Sequence, residues 1–262
     1  MRASEGTPSD LGTRSAVGLG LVLLALAALW LGGVVWWALV SLAALGMLLE
    51  WGGLARAGQA RLALAVAGML FGLALAFPGW WGTDRATVAA IVSLGLLVGI
   101  IGGNGKLGLG LCYAGLPAIA LLFLREQAHG FVLALWTLAI VWATDIGAYF
   151  AGRAIGGPLL ASRLSPKKTW SGLGGGMLAA AAAGAMIAVS GGLRDAFLWL
   201  GAPLAVLAQA GDLYESALKR KAQVKDSGRL LPGHGGLLDR LDGMVPVAVL
   251  VAALIAGGAL VS

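Results

Sequence analysis

The fold class the sequence predicts is all-α, a polytopic transmembrane helical bundle of about nine membrane-spanning helices. Three observations predict it. Of 262 residues, 59% are hydrophobic and 11% charged, against about 25% charged in soluble domains, and the mean hydropathy is +0.90. The apolar residues form continuous blocks rich in Ala, Leu and Gly instead of alternating, which suits membrane helices and not an outer-membrane barrel. The basic residues, finally, divide very unevenly between the two sides of those blocks.

In chain order, residues 1–14 are polar, contain Pro8 and read as a disordered lead-in. Apolar blocks follow, centred on Leu24, Leu42, Val66, Leu94, Pro117, Ile140, Ala182, Leu204 and Leu254. The first runs into the second without a small-residue cleavage site, so it reads as a span and not as a removable signal. Several blocks are shorter than the roughly 20 residues of an ideal span, so their ends reach the interface. Trp36, Trp37, Trp80 and Trp81 fall near block ends and read as interface anchors. Residues 15–130 thus form an N-terminal set of transmembrane helices. Residues 131–262 form a C-terminal catalytic region with two polar loops, 152–172 and 211–243.

Nine spans with the amino terminus inside place 15 of the 18 Lys and Arg residues on the cytoplasmic side and leave Arg85, Arg125 and Arg194 outside. Both polar loops then face the cytoplasm. The formal charge of +6 needs no nucleic-acid partner, because orientation accounts for it. The single cysteine, Cys112, lies in an apolar run and excludes an internal disulfide framework or a thiolate metal cluster. "GNGKLG" (103–108) matches a dinucleotide pattern but joins two apolar helices without a preceding strand.

Three polar constellations carry the chemistry. In "DIGAYFAGR", Asp145 ends a long apolar block and Tyr149 follows one helical turn later. An ionisable group at membrane depth costs about 2.5 to 3.5 kcal/mol on insertion scales, so function is its default reading. In "SPKKTWSG", Ser165, Lys167, Lys168 and Thr169 set paired ammonium groups beside hydroxyls and glycine, a combination suited to phosphate or anionic lipid headgroups. In "GDLYESALKR", Asp212, Glu215, Ser216 and Lys219 line one helical face. Downstream lie Arg220, Lys225, Asp226, His234 between glycines, Asp239, Arg240 and Asp242. Carboxylates, clustered cations and glycine-flanked backbone, with no Ser-His-Asp set and no zinc motif, describe a site for metal-bound polyphosphate. Mg²⁺ commonly takes one or two carboxylates, waters and substrate phosphates.

The spacing of Ser216, Lys219, Arg220, Lys225, Asp226, Pro232, His234, Gly235, Gly236, Asp239, Arg240 and Asp242 resembles the signature of the CDP-diacylglycerol synthase, or phosphatidate cytidylyltransferase, family. With the upstream motifs the resemblance covers roughly residues 145–243. It implies transfer of CMP from CTP to phosphatidate by a homodimer in a bacterial-type inner membrane, with the active site facing the cytoplasm. It also implies Mg²⁺ on Asp212 and Asp239, with K⁺ as a companion ion. Lys167, Lys168, Lys219, Arg220, Lys225 and Arg240 would hold phosphates, and His234 would orient one. Asp226 would join this catalytic group. Asp145, Tyr149, Ser165, Thr169, Glu215, Ser216, Gly235, Gly236 and Asp242 would line the substrate. One departure shows: family members usually carry Glu where this chain has Ser171. Two rivals fare worse. A transporter would spread polar residues through the first five blocks, and a CDP-alcohol phosphotransferase would carry an Asp-Gly-x-x-Ala-Arg arrangement that the chain lacks.

Overall fold

A computed structural model describes residues 8–228, 230 and 235–260, with side chains from residue 17 onward. The architecture is all-α. Among the described residues, nine apolar helices fall where the nine blocks lie: α1 (Pro8–Leu31), α2 (Gly33–Leu54), α3 (Gln59–Leu75), α4 (Arg85–Ile101), α5 (Gly105–Glu126), α6 (Gly130–Ile155), α7 (Trp170–Ser190), α8 (Ala196–Ala222) and α10 (Met244–Ala256). A short helix, α9 (Leu238–Leu241), precedes the last of them. Of these, five helices among the described residues, α2, α5, α6, α7 and α8, are long and apolar enough to cross a membrane. The others are apolar but shorter, α1 contributing Val17–Leu31 to that group. Helix α1 reaches back to Pro8, into the segment read as a lead-in. Proline suits a first helical position because its missing N–H has no intrahelical partner there.

A hairpin of β1 (Leu159–Ala161) and β2 (Ser165–Thr169) stands between α6 and α7, paired antiparallel with Ala161 opposite Ser165. The sequence gives little sign of it, because β1 is only three residues long and polar turns surround it.

Close backbone approach explains much of the glycine. A Cβ on Gly108 of α5 would fall 2.2 Å from the Gly95 carbonyl of α4, and one on Gly175 of α7 would fall 2.2 Å from the Ala151 Cβ of α6. These two helix pairs pack through small-residue seams, as membrane helices do when dispersion replaces the hydrophobic effect. Tryptophan fills the wider gaps. Trp136 is fully buried and its indole N–H donates to the Gly184 carbonyl at 3.0 Å. Trp36 is buried too, donating to Leu121 O, so it is a core residue and not the anchor expected of it. The anchor expectation fails there because the indole faces α5. Trp80 and Trp81 stay exposed, as an anchor role requires.

Candidate active site

Helices α6 and α8 are the longest in the bundle, and their polar ends meet at the hairpin. Thr169, the last residue of β2, caps α7 by accepting from the Gly172 amide at 3.0 Å. This fixes the strand that carries the lysine pair. Lys168 then turns inward, donating to Gln209 Oε1 at 2.7 Å and pairing with Asp212 Oδ2. The contact joins the two polar loops at one end of the bundle. Lys167 points outward. Ser171 donates to the Gly156 carbonyl and contacts Thr169 Oγ1 at 3.0 Å, so a neutral hydroxyl closes this turn.

Along α8 the expected face is present. Ser216 Oγ lies 3.4 Å from Asp212 Oδ1, and Lys219 pairs with Glu215 Oε2 at 2.6 Å. Glu215 is wholly buried, and among the described residues its Oε1 has no hydrogen-bond partner. Lys219 also donates to Asp239 Oδ1 at 2.5 Å. Its ammonium therefore stitches α8 to α9.

Asp239 has a full complement of partners. Its Oδ2 accepts from the Ser227 amide at 3.0 Å, the Ser227 hydroxyl at 2.9 Å and the Gly236 amide at 2.8 Å. Burial alone would raise its carboxyl, but the Lys219 ammonium and the Gly236 and Ser227 amides hold it well below the usual carboxylate range. Asp242 goes the other way. Burial and then the nearby Asp212 charge raise it, with Asp145 adding to the effect and the Gly243 amide opposing it. Asp145, Asp212 and Asp242 thus form an acidic group in mutual electrostatic range. The structure gives Asp212 and Asp239 different partners, Lys168 for one and Lys219 for the other.

Gly235 adopts a left-handed backbone (φ 80°), and a Cβ there would sit 3.2 Å from Asp239 Oδ2. That position favours glycine twice over. Arg220, Lys225, Asp226 and Arg240 are exposed around the mouth, and Ser165 is half-buried in β2. Tyr149 does not turn toward Asp145; its hydroxyl accepts from Arg153 at 3.1 Å. His234 and Pro232 lie outside the described residues.

Below this mouth is an apolar cavity of about 410 Å³ between α1, α2, α5, α6 and the start of α10. Trp36, Met47, Leu121 and Trp142 line it, and Asp145 and Arg240 are its charged lining residues.

One participant escaped the sequence reading. Glu50 of α2, only 6% exposed, accepts from Ser227 Oγ at 3.0 Å, the Leu237 amide at 2.9 Å and the Leu238 amide at 2.8 Å. The membrane-depth argument that singled out Asp145 applies equally to a lone carboxylate in an apolar block, and would have found it.

The family model described as "Cytidylyltransferase family" matches residues 12–257. Among curated relatives, a phosphatidate cytidylyltransferase from Brucella suis is 42% identical, the match covering 93% of this chain and 92% of the relative. One from Pseudomonas aeruginosa is 40% identical over 67% of this chain and 66% of the relative. One from Helicobacter pylori is 44% identical over 51% and 50%.

Proposed function

The chain belongs to the cytidylyltransferase family, and from that premise we propose that it is a phosphatidate cytidylyltransferase. It transfers CMP from CTP to phosphatidate. A phosphate oxygen of phosphatidate attacks the α-phosphorus of CTP, the new P–O bond forms as the α–β bond breaks, and pyrophosphate leaves with the electron pair. The observation that carries this reading is the apolar cavity with Asp145 and Arg240 in its lining, beneath the polar mouth. A water-soluble triphosphate and a lipid can meet there.

The phosphatidate phosphate is itself the nucleophile, so the protein's part is positioning and charge stabilisation. Lys168 is anchored to Gln209 and Asp212 at the mouth, and Lys167, Arg220, Lys225 and Arg240 surround it as exposed cations that hold phosphates. Arg240, in the cavity wall, receives the lipid phosphate while acyl carbons fill the apolar space. Lys219 reaches a phosphate only by leaving Glu215 or Asp239.

The donor set suits Mg²⁺, which needs few protein ligands. Among the described residues no three metal-ligating side chains converge, yet Asp212 is partly exposed beside Asp145 and Asp242, where a cation relieves like-charge repulsion. Asp212 is the primary ligand in this reading, and Asp239 joins only by giving up one of its present donors, of which Lys219 is the one on Oδ1. When bound, the ion neutralises charge developing on the phosphates.

The finer reading has nine spans in the inner membrane of a bacterium, the amino terminus and both polar loops in the cytoplasm, and a homodimer. The uneven distribution of Lys and Arg supports the orientation. The deciding experiment supplies purified protein with phosphatidate, Mg²⁺ and each labelled nucleoside triphosphate in turn. Label entering lipid with CTP or dCTP alone is expected. Labelling by ATP or GTP, or none, overturns the reading.

A further inference from the structure

Helix α9 begins without a cap of its own. Its N-cap residue is Leu237, which has no side-chain acceptor. The amides of Leu237 and Leu238 would be left as buried orphans, a costly arrangement. They are satisfied instead by Glu50, which stands 187 and 188 residues earlier in the chain. The same carboxylate takes the Ser227 hydroxyl, and that hydroxyl also contacts Asp239 Oδ2 at 2.9 Å.

The glycines around Glu50 show how closely the loop is seated on it. A Cβ on Gly228 would lie 2.4 Å from Glu50 Oε1. A Cβ on Gly236 would lie 2.0 Å from Ser227 Oγ and 2.5 Å from Glu50 Oε2. A bulkier residue at either place would displace the carboxylate or the loop. Neither the spacing of the downstream motif nor any carboxylate in it supplies this anchor; it comes from α2.

We propose that Glu50 is a positioning residue for the transfer reaction, fixing Ser227 and the Leu237–Leu238 turn against α2 so that Asp239 is held in one orientation facing Lys219. It touches no substrate in this scheme. It acts through the amides of Leu237 and Leu238 and the hydroxyl of Ser227, as outer-shell partners of a reactive site do. Glutamine at this position keeps the size but presents an NH₂ group where one of these donors needs an acceptor.

The inference rests on the CTP-dependent transfer proposed above, and its test separates the two. Hydrogen exchange at the Leu237 and Leu238 amides reads loop seating with no substrate present. Wild-type protein that labels no lipid sinks the transfer reading, while the exchange result still judges Glu50. In Glu50→Gln, exchange at both amides is expected to quicken and kcat to fall about 10- to 100-fold, the usual loss for an outer-shell partner. KM for CTP is expected to move far less than kcat. Gly236→Ala is expected to reproduce the kcat loss, and Glu50→Asp, which keeps the charge, to recover part of it. Leu48→Ala, a buried α2 change away from the loop, serves as the structural control: it lowers the melting temperature and leaves kcat per folded molecule unchanged. If Glu50→Gln behaves like Leu48→Ala, or leaves exchange at both amides unchanged, Glu50 is only a packing residue and the proposal is wrong.

Discussion

Two carboxylate clusters share one face of α8, within a turn of each other, and they are built in opposite ways. Around Asp239, Glu50 and Glu215, negative charge meets a half-buried lysine and a set of backbone amides, with a serine hydroxyl between two of the carboxylates. Around Asp212, Asp145 and Asp242, the partners among the described residues are Lys168, a long contact from Ser216 and the Gly243 amide, with the Arg240 charge also in range of Asp145. The opposite displacements of Asp239 and Asp242 express the contrast. Fixed donors preorganise one cluster, whereas the other keeps an excess of negative charge beside a cavity. A site that must hold its shape and also admit a cation and phosphates divides the two tasks between neighbours.

The contrast is most exposed at Lys219. Lys219→Met leaves fully buried Glu215 without its cation, a loss of about 3–5 kcal/mol for a broken buried pair. Thermal unfolding in detergent measures it, and adding Glu215→Gln is expected to restore most of the stability. No loss in the single variant would show that the filled cluster is not held by its charges.

Asp212→Asn and Asp239→Asn come next. Each is expected to lower CTP turnover about 100-fold, near 2.7 kcal/mol, and the double variant to cost little more, because groups acting as a unit are non-additive. Only Asp239→Asn should also lower the melting temperature clearly, since it alone meets several fixed donors. Activity near wild type for either single variant across a Mg²⁺ titration would remove that carboxylate from the metal site and leave the two clusters with separate duties. Ser171→Glu is the mildest. An acidic residue in the first turn of α7 favours the helix dipole and offsets the lost bond to Gly156. Turnover within about two-fold of wild type is expected, as for surface changes worth some 0.5 kcal/mol. A large loss with normal folding would show that the hairpin has been rebuilt around a neutral side chain.

The helices were legible because each is a block of apolar residues, and a block announces itself locally. So was the α8 face, where Asp212 to Ser216 and Glu215 to Lys219 are contacts between residues four apart. Contacts across the chain were not. Nothing near Lys168 points to Asp212, and the spacing of Asp145 and Tyr149 suggested a shared face that Arg153 instead claims for Tyr149. The hairpin was hidden by the brevity of β1, and the inward turn of Trp36 by its place beside Trp37 near a helix start.

The link between Glu50 and the loop also bears on biogenesis. Domains tend to form in the order of synthesis, so α2 is in place long before Ser227 leaves the ribosome, 177 residues later. The entropic cost of closing so long a span grows only slowly with its length, but the contact comes last. The N-terminal helices then serve as the wall against which the catalytic loop sets. A C-terminal half made without them would insert its helices and still lack a finished site, and supplying the N-terminal helices as a separate chain is the way to complete it.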